Sequence, residues 1–304
     1  MSVTYIIHCQ WPVDFNQPLS YFEPNIKGIS NLVRFCLQAS VKSCPLIFLS
    51  SVATVQRYPT QPVPEIHLSA PEHCQTGYGE SKLLASEILN KATVDFNLNA
   101  VVCRLGQVCG PLALTKQYDG LPAWPSRDWF PTLLRCSKFM GCIPDSLAKA
   151  DRIDWTPVDV LAEIIVDEVV HQSRPDVSTS NTTTTSNGII YRHLVNPKVC
   201  QYTDLLPRLQ RRLVRDSTMI YKVTSLQQWT KELEDYSLRA STSSTGQDPP
   251  GTELLQFFQD LSKTSEDDSI VLETTKTVKA FPRMGSLSAL DEDSLDKWLD
   301  AWAI

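Results

Sequence analysis

A tyrosine and a lysine stand four residues apart in the segment TGYGESKLLASEIL, at Tyr78 and Lys82. Four residues make about one helical turn, so both side chains would lie on one face of a helix. The lysine ammonium would favour tyrosinate there and lower the pKa of the phenol, toward the range in which the phenol donates a proton to a developing oxyanion. Taken alone, Y-x-x-x-K is a weak motif, because both residues are common on helix surfaces.

A serine upstream adds to this pair. The run PLIFLSS predicts a strand that ends at Ser51, and a serine at a strand end can hydrogen-bond the oxygen that the tyrosine protonates. Ser50 precedes it, so the assignment of the serine that meets the tyrosine is uncertain by one residue. We expect the side-chain oxygens of Ser51 and Tyr78 to lie within ~5 Å of each other. The order of these elements is far more specific than the tyrosine–lysine pair alone. A strand that ends in serine is followed by a loop, then by the helix with Y-x-x-x-K, and then by a strand that runs into G-P.

One expected part of a nucleotide site is absent from the sequence. The chain contains no G-x-G-x-x-G or G-x-x-G-x-x-G, and its first glycine is Gly28. Such a turn gathers backbone N–H groups around a pyrophosphate at the N-terminus of a helix. The sequence therefore predicts a reductase-type fold that lacks its first strands and its phosphate-binding turn.

Strands and helices alternate in the first half of the chain. The apolar runs at 3–8, 45–51 and 99–106 predict strands buried in a parallel sheet, and the stretches 24–40 and 78–92 predict the helices between them. This alternation predicts an α/β fold, a doubly wound parallel sheet of Rossmann-like type with right-handed crossovers.

The second half is less regular. Its predicted elements are helices at 129–141, 157–172 and 202–215, the last interrupted near Pro207, strands at 188–196 and 219–224, a polar loop at 173–188, and a closing amphipathic segment with Leu295, Trp298, Leu299 and Trp302 on one face. We expect a partial reductase core over 1–172 and a small mixed α/β lobe over 173–304, with a linker at 239–252, interleaved with the core.

Composition and charge exclude several classes of function. The 304 residues, 42% apolar, are enough for a full core, and a net charge of −6 provides no basic field for nucleic acid. No apolar run reaches the ~18 residues of a membrane span, and the N-terminal segment lacks a signal-peptide pattern. Nine cysteines without C-x-x-C or zinc spacing predict reduced thiols in a cytoplasmic protein with no metal site.

The chain resembles the thioester reductase domain that ends fungal nonribosomal-peptide-synthetase-like and adenylate-forming reductases, a male-sterility-type NAD-binding domain of the extended short-chain dehydrogenase superfamily. The W-P-V-D-F and I-D-W-x-P-V-D motifs are specific to this branch. The opening VTYIIHCQWPVDF resembles the fourth strand of such a domain, which implies an N-terminal truncation. The segments that carry the resemblance extend over most of the chain, at 8–37, 48–56, 76–89, 101–111, 124–134, 153–165 and 190–197.

The resemblance implies a set of roles. Tyr78 would be the general acid, Lys82 would tune it and hydrogen-bond the nicotinamide ribose, and Ser51 would bind the oxyanion. The implied cofactor is NADPH. The implied substrate is an acyl or peptidyl thioester on the phosphopantetheine arm of a carrier protein, released as an aldehyde or alcohol in secondary metabolite biosynthesis. The lining of the nicotinamide pocket would come from Gln107, Gly110 and Pro111.

Two other functions stay open. One is a redox-inactive release enzyme, whose pocket promotes Dieckmann-type cyclisation or hydrolysis of the thioester without a nucleotide. The other is a non-catalytic remnant or partner subunit. Missing strands would leave an open sheet edge for a partner to cover. The aromatic residues are interpreted as packing rather than substrate contacts, and so is His8 at the end of the first strand; these aromatic residues are Trp11, Trp124, Trp129 and Trp155.

Overall fold

Strands and helices alternate along the computed structural model, which describes residues 3–38, 44–112, 124–172, 188–215, 222–242 and 251–304. The strands are β1 (Ile6–His8), β2 (Leu46–Ser51), β3 (Ala100–Leu105), β4 (Val108–Cys109), β5 (Cys142–Pro144), β6 (Arg152–Ile153), β7 (Thr156–Pro157), β8 (Ile190–Leu194), β9 (Cys200–Gln201) and β10 (Lys222–Thr224). The helices are α1 (Glu23–Gln38), α2 (Gly77–Phe96), α3 (Trp129–Met140), α4 (Val158–Gln172), α5 (Tyr202–Arg215), α6 (Leu226–Thr242), α7 (Leu255–Leu261), α8 (Thr275–Ala280), α9 (Pro282–Gly285) and α10 (Glu292–Ala301). The predicted loop at 173–188 lies outside the described residues except for Gly188, as does most of the predicted linker at 239–252.

The chain forms two compact units, each drawn from three stretches. The first unit comprises Met1–Val108, Val160–Val195 and Ile270–Ser286. The second comprises Cys109–Asp159, Asn196–Ser269 and Leu287–Ile304. The predicted division into 1–172 and 173–304 stays a prediction.

The first unit contains a four-stranded parallel sheet in the order β1-β2-β3-β8. One face carries Phe48 and Val102, which pack with residues of α1 and α2 in one apolar cluster. The opposite face carries Arg192 of β8, whose guanidinium binds Glu168 of α4 at 2.9 Å. Helices thus cover both faces, and the predicted α/β class with a doubly wound parallel sheet is confirmed.

Local sequence explains where the elements of the first unit begin and end. Thr76 caps α2, because its side chain accepts a hydrogen bond from Gly79 N. The helix continues to Phe96 and stops at Asn97, which adopts the left-handed conformation with φ 57°. β1 covers three residues of the six predicted, and Ile7 on it is 42% exposed. Among the described residues, β1 pairs on one side only.

The second unit has an aromatic core and short two-stranded pairs. β10 pairs with β5 in parallel, and β6 pairs with β9 in antiparallel orientation. α3 ends where Gly141 takes a φ of 71°. The predicted apolar face of the closing segment is confirmed, since Leu295, Trp298 and Leu299 are fully buried. The rings packed together in this core are those of Trp124, Phe130, Trp155, Trp298 and Trp302.

The predicted interruption near Pro207 is wrong. α5 runs unbroken from Tyr202 to Arg215 with Pro207 inside it. A proline in a helix interior costs roughly 3 kcal/mol, but burial of a large apolar side chain contributes about 1.5–3 kcal/mol each. α5 buries several such side chains on one face, so packing overrides the local penalty; they are Leu205, Leu209 and Leu213.

Candidate active site

Tyr78 and Ser51 meet at the carboxyl end of β2. Tyr78 lies in the first turn of α2, and Ser51 is the last residue of β2. The Ser51 hydroxyl is near enough to the Tyr78 phenol to lower the pKa of the phenol through a side-chain hydrogen bond, in agreement with the predicted proximity. The Ser51 oxygen also accepts a hydrogen bond from Ala53 N at 3.1 Å, which leaves the hydroxyl proton of the serine free to be donated toward the phenol.

The neighbouring serine has a different environment. Ser50 is 4% exposed, and its hydroxyl has no hydrogen-bond partner among the described residues. Of the two registers that the sequence allows, the structure therefore favours Ser51 as the partner of Tyr78. Its role in catalysis stays a prediction.

The glycines on either side of Tyr78 allow this arrangement. A Cβ added at Gly79 would lie 2.4 Å from the carbonyl oxygen of Ala53, and one at Gly77 would lie 2.5 Å from the carbonyl oxygen of Gln17. The first turn of α2 can approach these two backbone segments only without side chains at those positions. Sequence reasoning missed both residues, although two glycines in a first helical turn are a signal, because glycine is a poor helix former.

We expect Gly79→Ala to lower the free energy of unfolding by about 1–3 kcal/mol, because the new methyl group overlaps the backbone at Ala53. Chemical denaturation measures the change. Gly28→Ala is the matched control, since a Cβ at Gly28 in α1 meets nothing within 4 Å. That variant should gain about 0.5–1 kcal/mol from helix propensity. Equal gains in both variants would contradict the close approach.

Lys82 lies under aromatic rings rather than beside a carboxylate. It is 3% exposed, and its Nζ donates to the carbonyl oxygen of Leu49 at 2.6 Å. The centres of the Trp11 and Phe48 rings are 4.6 Å and 4.8 Å from Nζ. In the part of the chain that the structure describes, no carboxylate forms an ion pair with it. Burial lowers the pKa of Lys82 from 10.5 to about 7.

The predicted lowering of the phenol pKa is wrong. Burial raises the pKa of Tyr78, and the hydrogen bond from Ser51 only partly offsets this effect. Tyr78 is 6% exposed, and Nζ of Lys82 is 5.9 Å from the centre of its ring. Since the ammonium is itself destabilised by burial, it cannot hold the phenolate strongly. The phenol stays protonated, which is the form that a general acid requires.

We expect Lys82→Met to stabilise the fold, most strongly below pH 7. Each tenfold loss of proton affinity corresponds to about 1.4 kcal/mol, so the depressed pKa represents several kcal/mol, partly offset by the unpaired Leu49 carbonyl. The pKa of Lys82 is about 7 in the folded chain and 10.5 when the lysine is unburied, so between these two values the unfolded chain binds more protons than the folded one. The penalty is therefore complete below pH 7 and disappears as pH rises through this window.

Denaturation of the Lys82→Met variant at pH 6 should show a gain of about 2 kcal/mol or more, shrinking by pH 9. Lys91→Met on the same helix is the matched control, because the Lys91 side chain is 78% exposed. That exposed substitution should change stability by no more than about 0.5 kcal/mol at either pH. A Lys82 variant that is less stable than the parent at pH 6 would contradict the assigned environment.

The residues predicted to line the nicotinamide pocket have packing roles. The Gln107 side chain donates to the carbonyl oxygen of Val108 at 2.8 Å. Gly110 and Pro111 belong to the second unit, where the indole N–H of Trp298 donates to the Pro111 carbonyl at 3.1 Å. A Cβ at Gly110 would lie 2.4 Å from that indole nitrogen. Contact of these three residues with a cofactor stays a prediction.

A family model described as male sterility protein, for an NAD-binding domain, matches residues 1–165. The chain belongs to the male sterility protein family. The carboxylic acid reductase of Neurospora crassa is 31% identical over 99% of this chain and 27% of that protein. The adenylate-forming reductase Nps9 of Serpula lacrymans is 29% identical over 99% of this chain and 27% of that protein. The chain thus spans about a quarter of the length of these relatives.

A solved structure shows the same fold. The terminal R domain from the myxalamid PKS-NRPS biosynthetic pathway superposes with a TM-score of 0.71 at 21% identity, covering 98% of this chain and 67% of that one. The predicted resemblance to reductase domains of adenylate-forming reductases is confirmed by these comparisons.

The site fits one end of a nicotinamide cofactor, the group expected for a male sterility NAD-binding domain. Lys82 Nζ makes one hydrogen bond within the described residues, so two N–H donors are available to ribose hydroxyls. The sequence contains no glycine-rich turn for the pyrophosphate end of the cofactor.

The described residues contain neither a cluster of metal-ligating side chains nor a membrane-crossing helix. Nowhere in them do three or more His, Cys, Asp or Glu side chains gather as a metal site. None of the described helices combines the length and apolarity that a membrane crossing requires.

Proposed function

We propose that this chain provides the active site of a thioester reductase, which releases a carrier-bound acyl or peptidyl chain as an aldehyde or alcohol. The observation that carries the proposal is the meeting of Ser51, at the end of β2, with Tyr78, in the first turn of α2, and with Lys82 one helical turn away. Membership of the male sterility protein family and the 31% identity to a carboxylic acid reductase support it.

The residues have complementary tasks in this reaction. When the substrate is bound, Ser51 turns its hydroxyl proton from the Tyr78 phenol to the thioester carbonyl oxygen, while its own oxygen keeps the hydrogen bond from Ala53 N. Tyr78, kept protonated by burial, gives its proton to that oxygen as negative charge develops. When bound, the nicotinamide supplies the hydride to the carbonyl carbon. The C–S bond of the resulting thiohemiacetal then breaks, releasing the aldehyde and the carrier thiol.

The finer assignments belong to the same proposal. NADPH is the expected reductant, with Lys82 at its ribose and Gln107, Gly110 and Pro111 at its nicotinamide. The expected partner is a carrier protein with a phosphopantetheine arm, in secondary metabolite biosynthesis in the cytoplasm. The nine cysteines are free thiols, which supports a reducing compartment.

A second candidate is release of the thioester without a nucleotide, by Dieckmann-type cyclisation or hydrolysis. The hydroxyl pair of Ser51 and Tyr78 could stabilise the oxyanion of that reaction equally well.

The test uses the 304-residue chain and a carrier protein loaded with an acyl thioester. Parallel reactions contain NADPH, NADH or no nucleotide, and aldehyde is trapped as a hydrazone. Nucleotide-dependent aldehyde with matching NADPH oxidation supports the reductase. Free acid or cyclised product at equal rates in all three reactions favours the second candidate. No release from the carrier in any reaction leaves the non-catalytic subunit as the better account.

We expect Lys82→Met to separate the two candidates further. In a reductase it should lower the rate by roughly 10²–10⁴, because the lysine both supports the tyrosine and holds the nicotinamide ribose. Nucleotide-free release needs no ribose contact and should lose much less. The ratio of product formation with and without NADPH, measured for the parent and the variant, checks this expectation.

A further inference from the structure

Trp11 connects the end of β1 to the helix that carries the site. It is 8% exposed. Its indole N–H donates to Ser81 Oγ at 3.2 Å, and Ser81 Oγ donates to the Tyr78 carbonyl at 2.7 Å. The ring also packs edge-on against Phe48, with 5.6 Å between centres. The hydrogen bond of the N–H group and the packing against Phe48 together fix the position of the indole.

The ring held in this way faces Lys82. Its centre is 4.6 Å from Nζ, which is nearer than the ring of Tyr78 at 5.9 Å. An ammonium over an indole is the strongest cation–π pair, and its strength grows when the pair is shielded from water. Lys82 is 3% exposed and has only the Leu49 carbonyl as a hydrogen-bond partner among the described residues. The rings of Trp11 and Phe48 and the Leu49 carbonyl therefore stabilise the charged form of Lys82, and the indole is the nearer and the stronger of the two rings.

We propose that Trp11 is a positioning residue of this active site, which holds the Lys82 side chain as an ammonium in place to support Tyr78 and a nicotinamide ribose. The inference rests on the proposed function for its effect on turnover. Its effect on Lys82 is independent of that function. The family motif W-P-V-D-F places the tryptophan in the sequence, but its contact with Lys82 is visible only in the fold.

The charge of Lys82 also responds to its other titratable neighbours. Cys9 follows β1, and its thiolate would raise the pKa of Lys82. His8 lies on β1, and its pKa is lowered by burial and by the charge of Lys82. Tyr78 faces Lys82 from α2. Burial moves both neighbours away from the lysine, since it raises the pKa of Tyr78 and lowers that of His8.

The test is a titration of Lys82 by NMR in the full chain labelled with ¹³C-lysine, in which the signal is assigned by its loss in Lys82→Met. Trp11→Leu keeps an apolar side chain but removes the ring. It should weaken proton binding by Lys82 roughly tenfold, moving its midpoint down by about one pH unit. The phenyl ring of Trp11→Phe attracts a cation more weakly than an indole does, so the Lys82 midpoint in this variant should lie between those of Trp11→Leu and the parent. An unchanged midpoint in Trp11→Leu would overturn the proposal.

A second measurement applies if Trp11→Leu does not fold. Fluorinated tryptophan keeps the shape of the indole and weakens the negative face of its ring, so the Lys82 midpoint should fall stepwise with the number of fluorine atoms. The chain has seven tryptophans, and the same labels in Trp11→Phe should have no effect on Lys82. A midpoint that is independent of fluorination overturns the proposal as well.

Turnover distinguishes this inference from the proposed function. In an active reductase, the pH–rate profile of Trp11→Leu should shift to lower pH by the same amount as the lysine midpoint, while Ser81→Ala, which keeps the ring, should shift less. If the chain is inactive, the lysine titration alone decides the inference. If the midpoint moves but the pH–rate profile does not, the role of Trp11 in the reaction is overturned.

Discussion

Tyr78→Phe is expected to lower the rate of thioester reduction by roughly 10²–10⁴, with little change in folding. The substitution removes only the hydroxyl that Ser51 reaches. The ring that remains still packs edge-on against Phe15 and Phe22, at 5.1 Å and 6.0 Å between centres. In the proposed mechanism, that hydroxyl delivers the proton to the substrate oxygen. Single-turnover reduction of a loaded carrier measures the effect on the chemical step.

Tyr191→Phe is the matched control for this substitution. Tyr191 is also buried in the first unit, at 3% exposure, and its hydroxyl has no hydrogen-bond partner among the described residues. The control should therefore keep the parent rate and the parent stability, or gain slightly in stability because an unpaired polar group is removed. A Tyr78→Phe variant that reduces the thioester at the parent rate would rule out the proposed mechanism, whichever nucleotide is used.

The elements around the site were predictable because their signals are local. The apolar run that forms β2 and the helical pattern of α2 each depend on short stretches of sequence, and Ser51 and Tyr78 lie at the ends of these two elements. A strand end and a helix start on the same side of a parallel sheet meet by topology. The proximity of the two hydroxyls therefore followed from order and spacing alone.

The electrostatics of the site could not be predicted in the same way. The spacing of Tyr78 and Lys82 suggested a lysine that lowers the pKa of the phenol. The structure instead buries the lysine beneath Trp11, which follows β1, and Phe48 of β2, and both lie far from it in sequence. Burial opposes both the ammonium and the phenolate. A pKa depends on neighbours that only the tertiary fold supplies. The predicted direction of the pKa shift of Tyr78 was therefore wrong, although the sequence identified the residues that lie together.

The same limit applies to Pro207 and to the glycines of α2. Local propensity predicted a break at the proline and gave no reason for Gly77 and Gly79. In the fold, buried leucines keep α5 continuous, and the backbone at Ala53 requires Gly79. In these cases the free energy of packing outweighs the local helix propensity, which amounts to a few kcal/mol or less.

Weak binding of NADPH is the second large effect that we expect. In the isolated chain the dissociation constant should be on the order of a millimolar or weaker, because several charge-assisted hydrogen bonds of about 1.5–3 kcal/mol each are missing. The sequence contains no glycine-rich turn.

Calorimetry with two ligands tests the reason as well as the affinity. Reduced nicotinamide riboside carries the ring and ribose that Lys82 and Tyr78 would hold, but it has no phosphate. If the chain contacts only this part of the cofactor, the dissociation constants of the riboside and NADPH should agree within about tenfold. A phosphate site would instead make NADPH bind more tightly than the riboside by several factors of ten. Lys82→Met should weaken both ligands equally. Micromolar binding of NADPH, with the riboside much weaker, would show that a phosphate site of another kind exists in this chain.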